Sequence, residues 1–167
     1  MRSDGGATVA QVSNVKATGA PAADQSLAFA CEFAAEPMAV RAGLLSTLGR
    51  LRGHIGADDA SALELVLAEV CNNIVEHAYR GIEGGRIGVS FSVSDEVMDC
   101  CVTDRGLPMP GSRLPEGVPP ELIGDGDPDQ LPEGGFGWFL IHDLTEALSY
   151  VRHDGQNELR FTICRAV

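Results

Sequence analysis

Along this 167-residue chain the spacing of apolar residues switches between the period of a strand and that of a helix. The order of these segments constrains the fold more than any other feature. Strand-like alternation occurs in "SLAFACEF", in "RIGVSFSVSDE" and in "LSYVRHDGQNELRFTICRA", where Asp154 and Gly155 predict a turn between two strands. The short apolar run "VMDCCVTD" is typical of a more central strand. The sequence therefore predicts five strands in three separate groups.

Three stretches between these strands have helical spacing. The first helix is predicted over residues 37–53, with Gly43 and Gly49 as weak positions. The second begins in "GADDASALE", where Asp58, Asp59 and the capping-box pair Ser61 and Glu64 are start signals that differ by a few residues, and it continues to about Arg80. The third is predicted in "WFLIHDLTEAL", after a glycine-rich segment. All three helices fall between strand groups and not between single strands.

The predicted element order is β, α, α, β, β, long loop, α, β, β. Because helices and strands do not alternate strictly, this order favours a two-layer α/β sandwich over a doubly wound fold. The expected sheet is mixed and mainly antiparallel, with helices on one face. Residues 1–25 lack periodicity and are predicted to form a flexible tail before a domain at 26–167. Residues 116–133 contain six acidic residues, four prolines and no basic residue, which predicts a long exposed loop.

The charge balance restricts the partners. Twelve basic residues against 24 acidic ones give a net charge of −12, which disfavours direct binding of nucleic acid. No signal peptide and no apolar run long enough to span a membrane is visible, so no membrane contact is expected. The five cysteines lack zinc-site spacing and are odd in number, so a reducing cytoplasm is the expected location.

The second helix carries polar residues close to its apolar stripe. Glu69, Asn73 and His77 are four residues apart and form one ridge at the edge of the stripe, about 100° from its centre. An amide oxygen can bind Mg²⁺ that also holds phosphates, and a carboxylate can accept a proton from a hydroxyl group. The alternative is a boundary helix with solvated Glu and Asn and a core histidine. The stripe itself is predicted from Leu63, Val66, Leu67, Val70, Ile74 and Ala78.

Two further segments could bind parts of a nucleotide. In "VTDRGLP", Asp104 could accept an exocyclic amine and Gly106 could let a flat base approach the backbone, although an ordinary turn has the same pattern. In "GGFGWFLI", glycines before a helix could expose amides to phosphate, or could form a hinge. Neither segment is a Walker A loop. The acidic "DGDPDQ" fails as a calcium loop, because Gln130 and Phe136 replace the required Gly and Glu.

Taken in order, "EVCNNIVEHAY", "DRGLP" and "GGFGWFLI" resemble the N, G1 and G2 boxes of the histidine-kinase-like (GHKL) ATPases. Within that superfamily the chain is most similar to the serine-kinase anti-sigma factors of bacterial partner-switching systems. The resemblance covers about residues 26–165 and implies the Bergerat type of ATP-binding fold. It implies ATP and Mg²⁺ as cofactors.

The resemblance also implies a role for individual residues. Glu69 would be the general base or would orient water, Asn73 would bind Mg²⁺, and His77 would lie beside the site. Asp104 would accept the adenine amine, Gly106 would line the base pocket, and Arg105 would compensate charge. A polar residue on a later strand, Asn157 or Glu158, would complete the pocket. The ATP lid would span about 108–137 and close on the phosphates through Gly134, Gly135 and Gly137.

The partners implied by the resemblance are a sigma factor and a STAS-domain antagonist that is phosphorylated on serine. Arg41, on the first helix, could contact such a partner, and many members of the family are homodimers. Three functions stay open at this point. The chain could be an ATP-dependent serine kinase, a nucleotide-dependent partner-switching module without phosphotransfer, or a scaffold that has lost the nucleotide.

Overall fold

The computed structural model describes residues 27–117 and 136–166. The chain begins with β1 (Leu27–Ala34), α1 (Pro37–Leu51) and α2 (Ala57–Asn73), and α2 continues into a π-helical turn (Ile74–Ala78). The hairpin strands β2 (Arg86–Val93) and β3 (Val97–Asp104) follow, and then a short 3₁₀ turn (Pro110–Ser112). The last elements are α3 (Phe136–Leu144), β4 (Glu146–His153) and β5 (Gln156–Cys164).

The strands form one five-stranded sheet in the order β1-β2-β3-β5-β4. All four pairings between these strands are antiparallel. The predicted two-layer α/β sandwich is confirmed, with the pairing antiparallel throughout the described strands. The apolar run that predicted a central strand forms β3, which is the middle strand of the sheet.

The core lies between the helices and one face of the sheet. Strand residues alternate between buried and more exposed, and the buried ones of neighbouring strands stand opposite each other, as in Val89, Val102 and Leu159. The stripe predicted on α2 is confirmed, since Leu63, Val66, Leu67 and Val70 are at most 2% exposed. Burying one such side chain contributes about 1.5–3 kcal/mol, so this stripe holds α2 on the sheet.

The structure distinguishes between the start signals predicted for α2. The helix begins at Ala57 after the N-cap residue Gly56, so Asp58 and Asp59 lie in its first turn, whereas the capping-box pattern at Ser61 does not mark the start. Ser61 lies inside the helix, where its hydroxyl donates to the carbonyl of Ala57 over 2.9 Å. A Ser side chain can cap a helix start or donate to a carbonyl inside a helix, and Ser61 makes the second contact.

The end of the last helix also differs from the prediction. The helical pattern of "WFLIHDLTEAL" extends to residue 148, but α3 ends at Leu144 and β4 begins at Glu146. The hydroxyl of Thr145 donates to the carbonyl of Ile141 over 2.6 Å at this boundary. Glu146 pairs with Thr162 on β5, so strand pairing overrides local helix propensity.

Several predictions concern residues that the structure does not describe. The tail at 1–25 and the greater part of the acidic loop lie outside the described ranges, and the domain boundary at residue 26 stays a prediction. In the parts of the chain that are described, no helix combines the length and the apolar character needed to cross a membrane.

Candidate functional site

A cavity of about 550 Å³ lies between the end of α2, the end of β3 and the inner side of β4 and β5. Its walls include apolar side chains from α2 and from the two central strands, such as Val70, Val102 and Leu159. The size and the mixture of apolar walls with a few polar groups are typical of a site for a small organic ligand. The polar residues that line it are Asn73, His77, Arg80, Asp104, Tyr150 and Asn157.

Asp104 is the last residue of β3 and stands directly opposite Asn157 of β5. Both are buried, at 7% and 5% exposure. The Oδ1 atom of Asp104 accepts hydrogen bonds from Gly106 N at 2.7 Å and from Asn157 Nδ2 at 2.8 Å. Burial raises the pKa of the Asp104 carboxyl, and the hydrogen bonds from Asn157 and Gly106 together with the charge of Arg152 offset part of that rise. Asp104 is therefore a fixed, desolvated acceptor at the cavity.

The loop after Asp104 is attached to the end of the second helix. Leu107 N donates to the carbonyl of Ala78 over 2.7 Å, and Arg105 N donates to the Tyr79 hydroxyl over 2.9 Å. A Cβ atom on Gly106 would lie 2.7 Å from the backbone carbonyl carbon of Ala78, which leaves no room for a side chain. The sequence predicted that Gly106, which has no side chain, would let a flat base approach the backbone. The structure shows that the close neighbour of Gly106 is the protein backbone.

The helix changes its winding beside the cavity. After Asn73 the turn Ile74–Ala78 is π-helical, and Tyr79 N donates to the carbonyl of Ile74, five residues earlier. Such turns occur often at functional sites. The ridge predicted from α-helical spacing therefore does not continue unchanged to His77, but Asn73 and His77 both line the cavity.

The side chain of Asn73 is only partly satisfied in the described part of the chain. Its Nδ2 atom is buried and makes no hydrogen bond within the described residues. A buried amide without a partner is costly, so it is a suitable group for a ligand to satisfy. His77 is exposed, and the neighbouring Asn72 and Glu76 are exposed as well.

Glu69 lies one α-helical turn before Asn73 and is half-buried. It does not line the cavity, but it contacts the first turn of α3, because a Cβ atom on Gly137 would overlap Oε2 of Glu69. Gly137 lies inside the first turn of α3 and not before the helix as predicted. Gly134 and Gly135 lie outside the described residues.

Arg105 does not lie where charge compensation was expected. Its side chain donates to Gln156 over 3.3 Å and lines a separate cavity with Glu32 and Arg86. Arg80, which the sequence analysis did not single out, is the arginine that lines the main cavity among the described residues. In the sequence, the one signal for a role of Arg80 was its position directly after the motif "EVCNNIVEHAY".

Of the two predicted candidates on β5, Asn157 lines the main cavity. Glu158 is on the opposite face of the strand and pairs with Arg160 at 2.7 Å. Tyr150 and Trp138 also line the cavity and were missed. Isolated aromatic residues carry no pattern in a sequence, so only the fold identifies them as part of this site.

The donor set fits a magnesium nucleotide better than a free metal ion. No group of three or more His, Cys, Asp or Glu side chains able to hold a metal occurs in the described ranges. Any cation here would need most of its oxygen ligands from a phosphate group and water, with the side-chain oxygen of Asn73 as the protein ligand. The buried Nδ2 atom of Asn73 is a donor and fits a phosphate oxygen instead.

Comparison with known families gives a match to the family described as "Histidine kinase-like ATPase domain" over residues 33–163. A serine-protein kinase RsbW from Halalkalibacterium halodurans is 35% identical over 98 residues, which is 59% of this chain and 59% of that protein. A serine-protein kinase RsbW from a strain of Bacillus cereus is 29% identical over 102 residues, 61% of this chain and 62% of that protein. The chain thus matches about three fifths of the length of these curated relatives.

A solved structure supports the same fold. The crystal structure of the RsbU and RsbW domains of Rv1364c from Mycobacterium tuberculosis is similar with a TM-score of 0.55 and 17% sequence identity. The similarity covers 84% of this chain and 34% of that one. At this identity the likeness concerns the fold alone.

Proposed function

Because the chain belongs to the histidine kinase-like ATPase domain family, we propose that it binds Mg²⁺-ATP in the cavity between α2 and the central strands. We further propose that it is an anti-sigma factor and a serine protein kinase whose substrate is a STAS-domain antagonist. The similarity to proteins named serine-protein kinase supports the second statement.

One observation carries the ATP proposal. The desolvated acceptor Asp104 lines the same cavity as Asn73, whose buried Nδ2 atom has no partner among the described residues. An adenine ring would lie between apolar walls with its amino group donating to Asp104, and its phosphates would extend toward Asn73. The Asn73 amide oxygen would bind the magnesium ion, which supplies neutralisation of the phosphate charge.

Glu69 is the proposed general base for the serine hydroxyl group. Its carboxylate lies at the first turn of α3, against Gly137, where the resemblance places the closing lid. A carboxylate within hydrogen-bond reach can remove the proton of the attacking hydroxyl as the phosphoryl group is transferred. Glycine at 137 leaves room for this side chain, since any Cβ atom there would displace it.

The outer face of α1 is the proposed contact surface for the sigma factor. Arg41 is exposed on this helix between Met38, 75% exposed, and Leu45, 61% exposed. A cation flanked by exposed apolar side chains is typical of a protein interface.

Homodimer formation, a cytoplasmic location and the absence of direct nucleic-acid binding belong to the same proposal. The five free cysteines support the cytoplasmic location. The net charge of −12 supports the absence of direct nucleic-acid binding.

Calorimetry with Mg²⁺-ATP tests the binding step. Wild type should bind, and Asn73→Ala should lose at least about tenfold in affinity because a ligand of the magnesium ion is removed. Asn72→Ala is the matched control, because Asn72 is exposed beside Asn73 and should keep the affinity of wild type. If neither wild type nor control gives heat, the protein is a scaffold and the ATP proposal is wrong.

Phosphotransfer to purified STAS-domain proteins of the same organism tests the kinase step. Glu69→Gln should bind ATP and lose transfer by about 10²-fold or more, since proton removal is impaired. Glu64→Gln, an exposed change on the same helix, should transfer at the rate of wild type. Tight ATP binding by wild type without transfer to any candidate would identify a nucleotide-dependent binding module instead of a kinase.

A further inference from the structure

Residues 107–117, which follow the end of β3, form a strap along one side of the main cavity. The strap residues that line the cavity are Leu107, Pro108, Met109, Pro110 and Pro115. Trp138, in the first turn of α3, lines the same cavity. The strap is therefore part of the cavity wall, and its position helps to determine the shape of the site.

Near its start the strap is fixed to the second helix and to the sheet. Leu107 N donates to the carbonyl of Ala78 over 2.7 Å. Met109 N donates to the hydroxyl of Tyr150 on β4 over 3.1 Å. Two backbone amides therefore hold this end of the strap.

The other end of the strap is attached to α3. The Nε2 atom of His142, whose side chain is exposed on this helix, lies 2.9 Å from the carbonyl oxygen of Pro115. A carbonyl oxygen can only accept, so Nε2 must carry the hydrogen and donate it. Two residues further on, a Cβ atom on Gly117 would lie 2.7 Å from Cα of Phe139, so the strap crosses the helix backbone where only glycine fits. The half-buried Leu114 packs against the core at the same end.

The turn between the two attached ends is strained. Gly111 and Ser112 both have a positive φ, of 64° and 51°. A left-handed backbone is unfavourable for serine, and such a conformation persists only where the surrounding structure fixes it. Loss of either attachment should therefore let the strap relax out of this shape.

From this arrangement we infer that His142 is a positioning residue that retains a bound nucleotide by fixing the strap to α3. This inference rests on the proposed function and deepens it. His142 does not line the cavity, so it acts on the ligand only through the strap. Its hydrogen bond to Pro115 is exposed to water, so the strap should release first at this end. The rate at which the ligand leaves should then depend on His142.

The test measures nucleotide dissociation from the full chain by stopped-flow fluorescence. The Mg²⁺ complex of mant-ATP, excited by energy transfer from Trp138, is displaced by excess ATP. Trp138 is the only tryptophan of the sequence and lines the cavity, so the signal reports on this site. In His142→Ala the dissociation rate should rise about 2- to 10-fold, the range for loss of one hydrogen bond, and the association rate should change less.

Three further variants separate the hydrogen bond from other effects of the histidine. The rings of His142 and Trp138 lie 6.4 Å apart, and His142→Gln removes this ring but keeps an NH donor. Its dissociation rate should stay within about twofold of wild type. Gly117→Ala removes no contact but sets a methyl group against the backbone of α3, and it should raise the same rate. His153→Ala changes an exposed histidine on β4 that does not line the cavity and should behave as wild type.

The outcomes separate this inference from the proposed function. Equal dissociation rates in wild type and His142→Ala would overturn the inference while ATP binding stands. Equal rises in His142→Ala and His142→Gln would assign the effect to the imidazole ring and would also overturn it. No nucleotide binding by wild type would refute the proposed function.

Acrylamide quenching of Trp138 in the nucleotide-free protein tests the attachment by itself. It should be stronger in His142→Ala than in wild type and His142→Gln, because the released strap uncovers the indole ring. Equal quenching in all three proteins would overturn the role of His142 whether or not a nucleotide binds.

Discussion

At the scale of single residues, Asp104 combines a functional requirement with a cost in stability. It has to remain an acceptor at the cavity, and it is only 7% exposed. Burial raises the pKa of its carboxyl above the usual 3.8, although Asn157, Gly106 and Arg152 offset part of the rise. At neutral pH the charged side chain is therefore less favourable in the folded protein than in the unfolded chain.

Asp104→Asn should separate the two effects. At pH 7 the variant should be at least as resistant to urea as wild type, because the neutral amide keeps an acceptor for Gly106 N and removes the buried charge. It should lose at least about tenfold in ATP affinity, since an NH₂ group would face the adenine amine. Lower resistance to urea than wild type at pH 7 would contradict the sign of this pKa shift.

The pH dependence of the same variant follows from the raised pKa. Folded wild type holds the carboxyl proton more tightly than the unfolded chain, so wild type gains stability as pH falls through the folded pKa toward 3.8. The difference in unfolding free energy between Asp104→Asn and wild type should therefore shrink toward pH 4. Urea titrations across that range measure it, with the exposed Asp99→Asn on the same strand as control.

The sequence identified some of these residues and not others for a physical reason. Asn73 and Asp104 belong to local patterns of a few residues, and the structure brings both to one cavity. Tyr150 and Arg152 donate to Asn157, which in turn donates to Asp104 from a position 53 residues further along the chain. Strand register creates that contact, and register is not visible in local spacing.

At the scale of elements, the two glycines of α1 look alike in the sequence and differ in the structure. Both were predicted as weak positions of the helix. A Cβ atom on Gly43 would lie 2.7 Å from Cγ of Phe33, which is buried on β1, whereas a Cβ atom on Gly49 would meet no atom within 4 Å. Gly43 is therefore needed for close packing of helix on strand, and Gly49 only costs helix stability.

Alanine substitution should distinguish the two glycines. Gly49→Ala should raise the free energy of unfolding by about 0.5–1 kcal/mol, because alanine restricts the unfolded chain and favours the helix. Gly43→Ala should lower it by about 1–3 kcal/mol, because the added methyl group overpacks against Phe33. Urea denaturation measures both values, and stabilisation by Gly43→Ala would show that Phe33 can move aside.

Element boundaries were predicted less well than element types. The order of helices and strands and the stripe of α2 follow from spacing, which is a property of many residues. The end of α3 and the start of α2 depend on single contacts, such as the pairing of Glu146 with Thr162. The π-helical turn at Ile74–Ala78 also has no pattern that distinguishes it from a regular helix.

At the scale of the whole molecule, Arg165 connects three parts of the fold after the last strand. Its side chain donates to Asp59 at 3.4 Å, to the carbonyl of His54 at 3.0 Å and to the carbonyl of Ser94. Ala166 N also donates to Asp59, over 2.9 Å. Asp59 is 5% exposed, so this ion pair joins the end of the chain to the first turn of α2 with little access to water.

Asp59→Ala should lower the free energy of unfolding by about 3–5 kcal/mol, because it leaves the guanidinium of Arg165 without its buried partner. Asp58→Ala is the matched control. Asp58 lies in the same first turn but is exposed, so its removal should cost only about 0.3–1 kcal/mol from the helix dipole. Thermal unfolding of the two variants measures the difference, and equal losses would mean that Arg165 contributes nothing through this pair.

The strand order has a consequence for synthesis of the protein on the ribosome. One edge of β3 pairs with β2 and the other with β5, which is translated after the other four described strands. A nascent chain that has completed β1, β2 and β3 therefore presents an open row of backbone donors and acceptors, to which another chain can add. Translation that stops before β5 would yield a product that lacks Asn157 and is prone to aggregate. For this protein, pausing late in translation should cost more soluble yield than pausing early.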